Sequence, residues 1–279
     1  MIELTLSILF TICLFLFFKE FDRRKVDTLE AITFNYLSAG LLSIAFGSSG
    51  YSLESTLYTD WFIPTIFLGI FFIVMFNIMA LTTQKLGVTI GSLASKMSLI
   101  IPVIFALLFQ GDSWTALKTI GIVIALLSVY LTVKKNEEKN GPIYLAILLF
   151  VGAGLLDTIL SHIQFKYLDS QALKDYFTTT VFLVAFCVGF LMLIIKKQKF
   201  KIRNIVFGLS LGIPNYLSIL FVLKSLNKMD SSLVFPILNI GVVVLSALVG
   251  WGYYKEQLSK LNWLGVILAI VSICILIYS

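Results

Sequence analysis

A lysine and an aspartate lie deep inside otherwise apolar segments and are the first residues here that could do chemistry. Lys96 occurs in GSLASKMSLI, residues 91–100, and Asp157 in LFVGAGLLDTILSHIQ, residues 149–164. A charge at the centre of a membrane helix costs about 2.5–3.5 kcal/mol on insertion scales, and such groups usually serve function. Two uses are open: a structural Lys96–Asp157 ion pair, or a site in which Lys96 holds an anionic or hydroxyl-rich solute and Asp157 binds solute or exchanges a proton.

Uncharged polar residues accompany Lys96 at helical spacing. Thr89, Ser92 and Lys96 occupy positions i, i+3 and i+7, which share one face of a helix. Lys96 is about 13 Å along a helix axis from Gly87, too deep for its ammonium to reach the membrane surface easily. We expect this stripe to face the centre of a helix bundle, and predict Ser92, Lys96 and Asp157 as substrate-binding residues. The residues that share the helix face of Asp157 are Gly154, Ser161 and Gln164.

Side-chain amides form a second polar set within the apolar segments. They are Asn35, Asn77, Gln84, Asn215 and Asn239. Amides donate and accept hydrogen bonds, which suits sugars, amino acids or nucleosides, but they also join membrane helices at about 0.6–2 kcal/mol for each bond. We assign the joining role to Asn35 and predict Asn77, Asn215 and Asn239 as substrate-binding residues, with joining still open for the last two.

The run GLSLGIPNYLS, residues 208–218, combines two glycines four positions apart with a proline. A proline inside a helix removes a backbone hydrogen bond, and interrupted helices often line transporter sites. We predict that Tyr216 binds substrate together with Asn215. The predicted hinges are Gly212, Pro214 and Pro236, with plain helix packing as the alternative for the glycines.

Composition indicates a membrane setting for these residues. Hydrophobic residues make up 59% of the 279 and charged residues 13%, and the mean hydropathy is +0.99. A soluble domain is typically about half apolar and a quarter charged. We predict an all-α polytopic membrane protein with ten transmembrane helices, most of them long enough to cross about 30 Å of hydrocarbon. The predicted spans are 2–18, 29–46, 61–82, 87–109, 115–133, 143–164, 177–195, 204–224, 231–250 and 260–278.

Charges in the connecting segments favour one orientation. The loops after spans 1, 3, 5, 7 and 9 hold 15 lysines and arginines, and the opposite loops hold five. The positive-inside rule therefore predicts that the first set is cytoplasmic and that both termini lie outside.

The two halves of the chain resemble each other. An offset of 144 residues aligns Asp112 with Glu256, Gly121 with Gly265, Ala125 with Ala269 and Ser128 with Ser272, and an offset of 143 aligns Lys96 with Asn239. We predict two five-helix repeats, 1–137 and 138–279. An odd number of spans inverts the second copy, which is a common transporter design. The aligned small residues predict packing seams between spans 5 and 10.

The segment PILNIGVVVLSALVGWGYYKEQLSKLNWLGVILAIVSI, residues 236–273, resembles the EamA-type drug/metabolite transporter superfamily. The shared pattern is a helix that starts with proline, an acidic residue after it, and a final helix that bears a glycine. Residues 80–121 look like the same unit, with Asp112 in the acidic position. The resemblance implies a bundle of ten helices in two inverted repeats, with a central cavity lined by spans 1, 3, 4, 6, 8 and 9.

The charge bias departs from the cytoplasmic termini that many EamA-type members are taken to have. It is more similar to the branch of rhamnose and glucose porters. We therefore predict a secondary transporter of a small polar organic metabolite that works by alternating access, with proton coupling through Asp157 left open. The alternatives are a carbohydrate uptake porter and a non-transporting membrane scaffold.

The same residues bound the other classes of function. No nucleophile–base pair, metal-ligand set or phosphate-binding loop occurs, so we predict no enzyme, no catalytic residue, no metal and no cofactor. The expected partners are a small-molecule substrate, the lipid bilayer and, as open possibilities, a coupling proton and a second copy in a homodimer. No nucleic acid is expected. The resemblance places the protein in a prokaryotic cytoplasmic (inner) membrane.

Overall fold

The computed structural model describes residues 1–48, 50–109, 115–133, 142–226, 228–229 and 231–278, and these residues are almost entirely helical. The helices are α1 (Ile2–Arg23), α2 (Thr28–Phe46), α3 (Leu53–Leu57), α4 (Phe62–Leu86), α5 (Val88–Met97), α6 (Ile100–Phe109), α7 (Ala116–Val133), α8 (Tyr144–Tyr167), α9 (Gln171–Ile195), α10 (Ile202–Leu226), α11 (Ser231–Gly252) and α12 (Lys260–Ile277). The predicted all-α fold is confirmed.

The apolar helices match the predicted spans in order and position. Within the described residues, seven segments are long and apolar enough to cross a membrane, and three shorter apolar stretches belong to α7, α11 and α12. Helix starts follow local signals: Asp27 caps α2 by accepting from the N–H of Glu30 at 2.9 Å, and Ser170 caps α9. Ser259 and Asn262 form a reciprocal capping box at α12.

The fourth predicted span, 87–109, is present as the membrane-length apolar segment Val88–Phe105, and its helix is interrupted at Ser98 and Leu99, which separates α5 from α6. Pro102 explains the break. It has no N–H to donate to the carbonyl of Ser98, four residues earlier, and its ring crowds that carbonyl. The Ser98 carbonyl instead accepts from the N–H of Ile101 at 2.9 Å. Lys96 therefore lies in the last turn of a short helix and not in the middle of a long one.

The chain forms two compact units, and each combines segments from both halves of the sequence. Unit 1 comprises Met1–Lys19, Ile78–Leu155 and Ser218–Ser279, and unit 2 comprises Glu20–Asn77 and Leu156–Leu217. These units follow helix packing and do not coincide with the repeats 1–137 and 138–279, so the repeat division stays a prediction.

Unit 1 is organised by the contact between α7 and α12, where the predicted seam of small residues is confirmed. Ala125, Ser128, Ala269 and Ser272 are fully buried. The Ser272 hydroxyl donates to the carbonyl of Gly121 at 2.8 Å. Short side chains let the two backbones approach closely enough for this bond. The adjoining apolar core is made of Leu93, Met97, Ile100, Ile122, Val243, Ala247, Val266 and Ile273.

Unit 2 is built around α2 and α9. Tyr36 is fully buried, packs its ring near those of Phe76 and Phe182, and donates from its hydroxyl to the carbonyl of Phe72 at 3.1 Å. Ser43 and Thr179 share a hydrogen bond of 2.7 Å between α2 and α9. These three buried hydroxyls are thus paired, as is usual for buried polar groups.

Candidate functional site

Lys96 lies half-buried in the last turn of α5, within unit 1. The last carbonyls of a helix have no intrahelical partner and carry partial negative charge, so a cation is stabilised there. The break after Met97 supplies that helix end in the interior of the predicted span. The carbonyl end of α5 therefore stabilises the positive charge of Lys96. The cationic side chain lies next to the interruption of the helix.

The opposite end of α5 is capped by Glu256 from the turn between α11 and α12. Its Oε1 accepts from the N–H of Val88 at 2.5 Å, and its Oε2 accepts from the N–H and the hydroxyl of Thr89 at 3.2 and 2.8 Å. A carboxylate at a helix N-terminus satisfies free N–H groups and complements the helix dipole. The ten-residue α5 therefore has an anion at its start and a cation at its end.

Two glycines make room for the Glu256 carboxylate. A Cβ added to Gly87 would lie 2.6 Å from Oε1 of Glu256, and one added to Gly250 would lie 2.4 Å from Oε2. Gly87 also has φ of +106°, which side chains other than glycine rarely adopt. The close approach depends on the absence of side chains at both positions.

The predicted polar stripe on α5 is present, and the hydroxyls of Thr89 and Ser92 are hydrogen-bonded within unit 1. Thr89 donates to Glu256, and the buried Ser92 hydroxyl donates to the carbonyl of Thr89 at 3.1 Å. Asn239 is half-buried on α11 in the same unit. A substrate-binding role for Ser92, Lys96 and Asn239 stays a prediction.

The buried amides of unit 2 form an interhelical pair. Asn215 on α10 donates from Nδ2 to Oδ1 of Asn35 on α2 at 3.2 Å, and both side chains are buried. Nδ2 of Asn35 is buried without a hydrogen-bond partner among the described residues. The predicted helix-joining role of Asn35 is confirmed, and the same bond gives Asn215 a helix-joining role.

The two glycines at 208 and 212 pack against α2. A Cβ on Gly208 would lie 2.3 Å from the carbonyl oxygen of Ala31, and one on Gly212 would lie 2.5 Å from Cβ of Ser38. The helix α10 continues on both sides of Pro214. The ring of the buried Tyr216 stacks near that of Phe46 at 6.5 Å. Close packing is therefore a role that the structure gives to Gly212, and a hinge at Gly212 and Pro214 stays a prediction.

The other predicted site residues are spread over both units. Asp157 is half-buried on α8 in unit 2, whereas Lys96 belongs to unit 1, so their pairing stays a prediction. Asn77 donates from Nδ2 to the carbonyl of Ile73 on its own helix at 2.8 Å. Pro236 belongs to α11. The side chains of Pro236 and Gln164, and all of Asp112, lie outside the described residues.

Two carboxylates accept hydrogen bonds at helix starts, a structural role that the sequence patterns did not predict. Glu256 is one. Glu30 is the other: it is fully buried in unit 2 and accepts from the N–H of Lys201 at 2.8 Å and from Nδ2 of Asn204 at 2.6 Å, at the start of α10. One signal in the sequence pointed to them: α5 and α10 begin after Gly87 and Lys201, whose side chains have no oxygen that could cap a helix start, so a cap from elsewhere is needed.

Residues 142–278 match the profile of the EamA-like transporter family. An uncharacterized protein of Haemophilus influenzae is similar to the chain, with 26% identity over 292 residues that cover 99% of this chain and 97% of the relative. A solved crystal structure shares the fold, with a TM-score of 0.61 and 15% identity over 99% of this chain and 95% of that one.

These similarities agree with the apolar helices. Members of the matched family are transporters and not enzymes, and the helices identify a multi-pass membrane protein. Groups of three or more His, Cys, Asp or Glu side chains that could hold a metal ion do not occur within the described part of the chain. Residues 142–278 are thus similar to the EamA-like transporter family.

Proposed function

We propose that the protein is a secondary active transporter that moves a small polar organic metabolite across the membrane by alternating access. The observation that carries this proposal is the placement of Lys96, a half-buried cation in the last turn of α5, directly before the break at Ser98 and Leu99. Interrupted helices and intramembrane charges are recurrent features of transporter binding sites. The family of residues 142–278 supports the same function.

In this proposal the Lys96 ammonium holds an anionic or hydroxyl group of the substrate. The amides and hydroxyls supply further hydrogen bonds; these residues are Asn77, Ser92, Asn215, Tyr216 and Asn239. Asp157 binds a polar group of the substrate or exchanges the coupling proton. Gly212, Pro214 and Pro236 act as hinges for the change between access states.

A carbohydrate uptake porter is the second candidate, favoured by the charge pattern. The basic loops hold 15 of the lysines and arginines against five on the other side, a bias that favours termini outside and basic loops in the cytoplasm. This orientation is similar to that of the rhamnose and glucose porter branch. Residence in a prokaryotic inner membrane and assembly as a homodimer belong to the same proposal.

A ligand screen with a matched lysine control tests the role of Lys96. The purified full-length protein is screened by thermal shift against sugars, amino acids, nucleosides and organic anions. Lys96→Gln is compared with Lys85→Gln, which removes an exposed lysine at the end of α4. A ligand at 100 times its Kd should stabilise the folded protein by about 2.7 kcal/mol. We expect a shift in the wild type and in Lys85→Gln, and none in Lys96→Gln.

The other outcomes are equally informative. A ligand that shifts Lys96→Gln as much as the wild type removes Lys96 from the site. No ligand in any class, together with no uptake into proteoliposomes, favours the non-transporting scaffold. Proton coupling is tested separately, because Asp157→Asn should abolish the pH dependence of uptake while substrate binding persists.

A further inference from the structure

We propose that Glu256 is a positioning residue, which tethers α5 to the turn between α11 and α12 and thereby places Lys96. The proposal rests on the function proposed above only for the role of Lys96 in substrate binding. The tether itself is a relationship within unit 1, between the carboxylate of Glu256 and the first turn of α5.

The start of α5 depends on a cap from elsewhere in the chain. Gly87 occupies the N-cap position and has no side chain that could accept a hydrogen bond from the first turn. Four N–H groups at a helix start lack intrahelical partners and need acceptors from outside the helix. Glu256 accepts from two of these groups and from the hydroxyl of Thr89. It is the cap that α5 lacks locally.

The turn after α11 has a backbone conformation that delivers this carboxylate. Lys255 has φ of +53°, in the left-handed region that costs a residue with a side chain roughly 1–2 kcal/mol. The N–H of Tyr254 donates to the carbonyl of Val249 at 3.2 Å, and that of Glu256 donates to the carbonyl of Gly250 at 2.9 Å. These bonds reverse the chain over the end of α11. Strained residues persist where the surrounding structure requires them.

Gly87 and Gly250 leave just enough space for the Glu256 carboxylate between them. A Cβ at Gly250 would lie 2.4 Å from Oε2 of Glu256 and 2.6 Å from the hydroxyl of Thr89. A Cβ at Gly87 would lie 2.6 Å from Oε1. A substitution at Gly250 would therefore displace the carboxylate while the carboxylate itself remains in the chain. This provides a way to disturb the tether without removing its charge.

A displacement at the start of α5 reaches Lys96 through one short helix. Thr89 and Lys96 are seven residues apart, about 10.5 Å along one helix. The break at Ser98 and Leu99 interrupts the helix after Lys96, so α5 is a short segment that can shift separately from α6. A shift of the turn between α11 and α12 would then be transmitted through the first turn of α5 to its last turn.

Hydrogen exchange and thiol labelling test the tether without a known substrate. Amide exchange is measured in peptides over residues 87–93 of the full-length protein for wild type, Glu256→Gln and Glu256→Asp. Glu3→Gln is the control, because Glu3 is a unit 1 carboxylate in the first turn of α1, where it pairs with Lys228 and not with α5. We expect exchange at Val88 and Thr89 to rise about fivefold in Glu256→Gln, the factor for loss of one helix cap, and to be partly restored in Glu256→Asp.

The second measurement, thiol labelling, reports the position of residue 96. Lys96→Cys is introduced after Cys13, Cys187 and Cys274 have been changed to Ser, and it is labelled with a cationic methanethiosulfonate reagent. We expect Glu256→Gln to change the labelling rate at this position at least threefold, whereas Glu3→Gln leaves it unchanged. If Glu256→Gln does not fold, Gly250→Ala is measured in its place, with the same expected changes.

Three results would overturn the proposal. One is unchanged exchange over residues 87–93 in a folded Glu256 or Gly250 variant. Another is an unchanged labelling rate at position 96. The third is an equal rise of exchange in α9 of unit 2, which would show that Glu256 supports overall stability and does not act on α5. If the tether holds while Lys96→Gln leaves ligand binding intact, the function proposed for Lys96 fails and the positioning role of Glu256 stands.

Discussion

Asn215 donates a hydrogen bond to Asn35 across 3.2 Å between α10 and α2, in the interior of unit 2. The acceptor amide has a buried Nδ2 group with no hydrogen-bond partner among the described residues. A buried amide that is only half satisfied costs more than an apolar side chain of the same shape, and the cost grows when its remaining partner is removed.

This pair predicts non-additive stability changes. Asn215→Leu removes the hydrogen bond that Oδ1 of Asn35 accepts, while Nδ2 of Asn35 already lacks a partner among the described residues. We therefore expect a loss of about 1–3 kcal/mol in unfolding free energy. The double variant Asn35→Leu/Asn215→Leu should lose less than the sum of the two single variants. Unfolding in SDS titrations of the full-length protein gives the three values. Additive losses would show that the two amides do not depend on each other.

Gly212 predicts a steric effect with a control in the same chain. A Cβ at this position would lie 2.6 Å from the carbonyl oxygen of Asn35 and 2.5 Å from Cβ of Ser38, whereas one at Gly252 would meet nothing within 4 Å. Gly212→Ala should therefore lower stability by about 1–3 kcal/mol, and Gly252→Ala should leave it nearly unchanged. Thermal unfolding of both variants measures the difference. Equal stability of the two would argue against close packing of α10 on α2.

The seam between α7 and α12 predicts a partial rescue. A Cβ at Gly265 would lie 2.1 Å from Oγ1 of Thr132, a buried hydroxyl without a hydrogen-bond partner among the described residues. Gly265→Ala should destabilise the protein, and Thr132→Ala alone should cost little. The double variant should regain part of the loss, because the nearest clashing atom is gone while the carbonyl of Ser128, 2.8 Å away, remains. Thermal unfolding of all three variants tests this; no recovery in the double variant would contradict it.

Pro102 predicts a local change in helix continuity. Pro102→Ala supplies an N–H that can donate to the carbonyl of Ser98, which accepts from Ile101 in the native chain. We expect slower amide exchange in peptides over residues 97–104, because the break between α5 and α6 becomes helical. Peptides from α12 serve as the internal reference. Unchanged exchange over 97–104 would mean that packing, and not the proline, maintains the break.

Local features of the sequence were sufficient for the order and position of the long apolar segments. Apolar runs of membrane length predict helices because the backbone must satisfy its own hydrogen bonds in hydrocarbon. The small residues at Gly121, Ala125 and Ser128 likewise predicted a packing seam that the structure confirms. The break in the fourth span was less accessible, since a proline inside a membrane helix can be accommodated as a kink or can end a helix.

Composition and spacing therefore predict the membrane setting, ten apolar segments and the location of Lys96 inside the fourth of them. Each depends on composition and spacing within about 20 residues. The packed structure is needed to see that Glu256 caps α5 from 168 positions away and that Asn35 pairs with Asn215 across 180 positions. Such contacts depend on how helices pack, and no local pattern encodes which distant carboxylate or amide will meet a given N–H group.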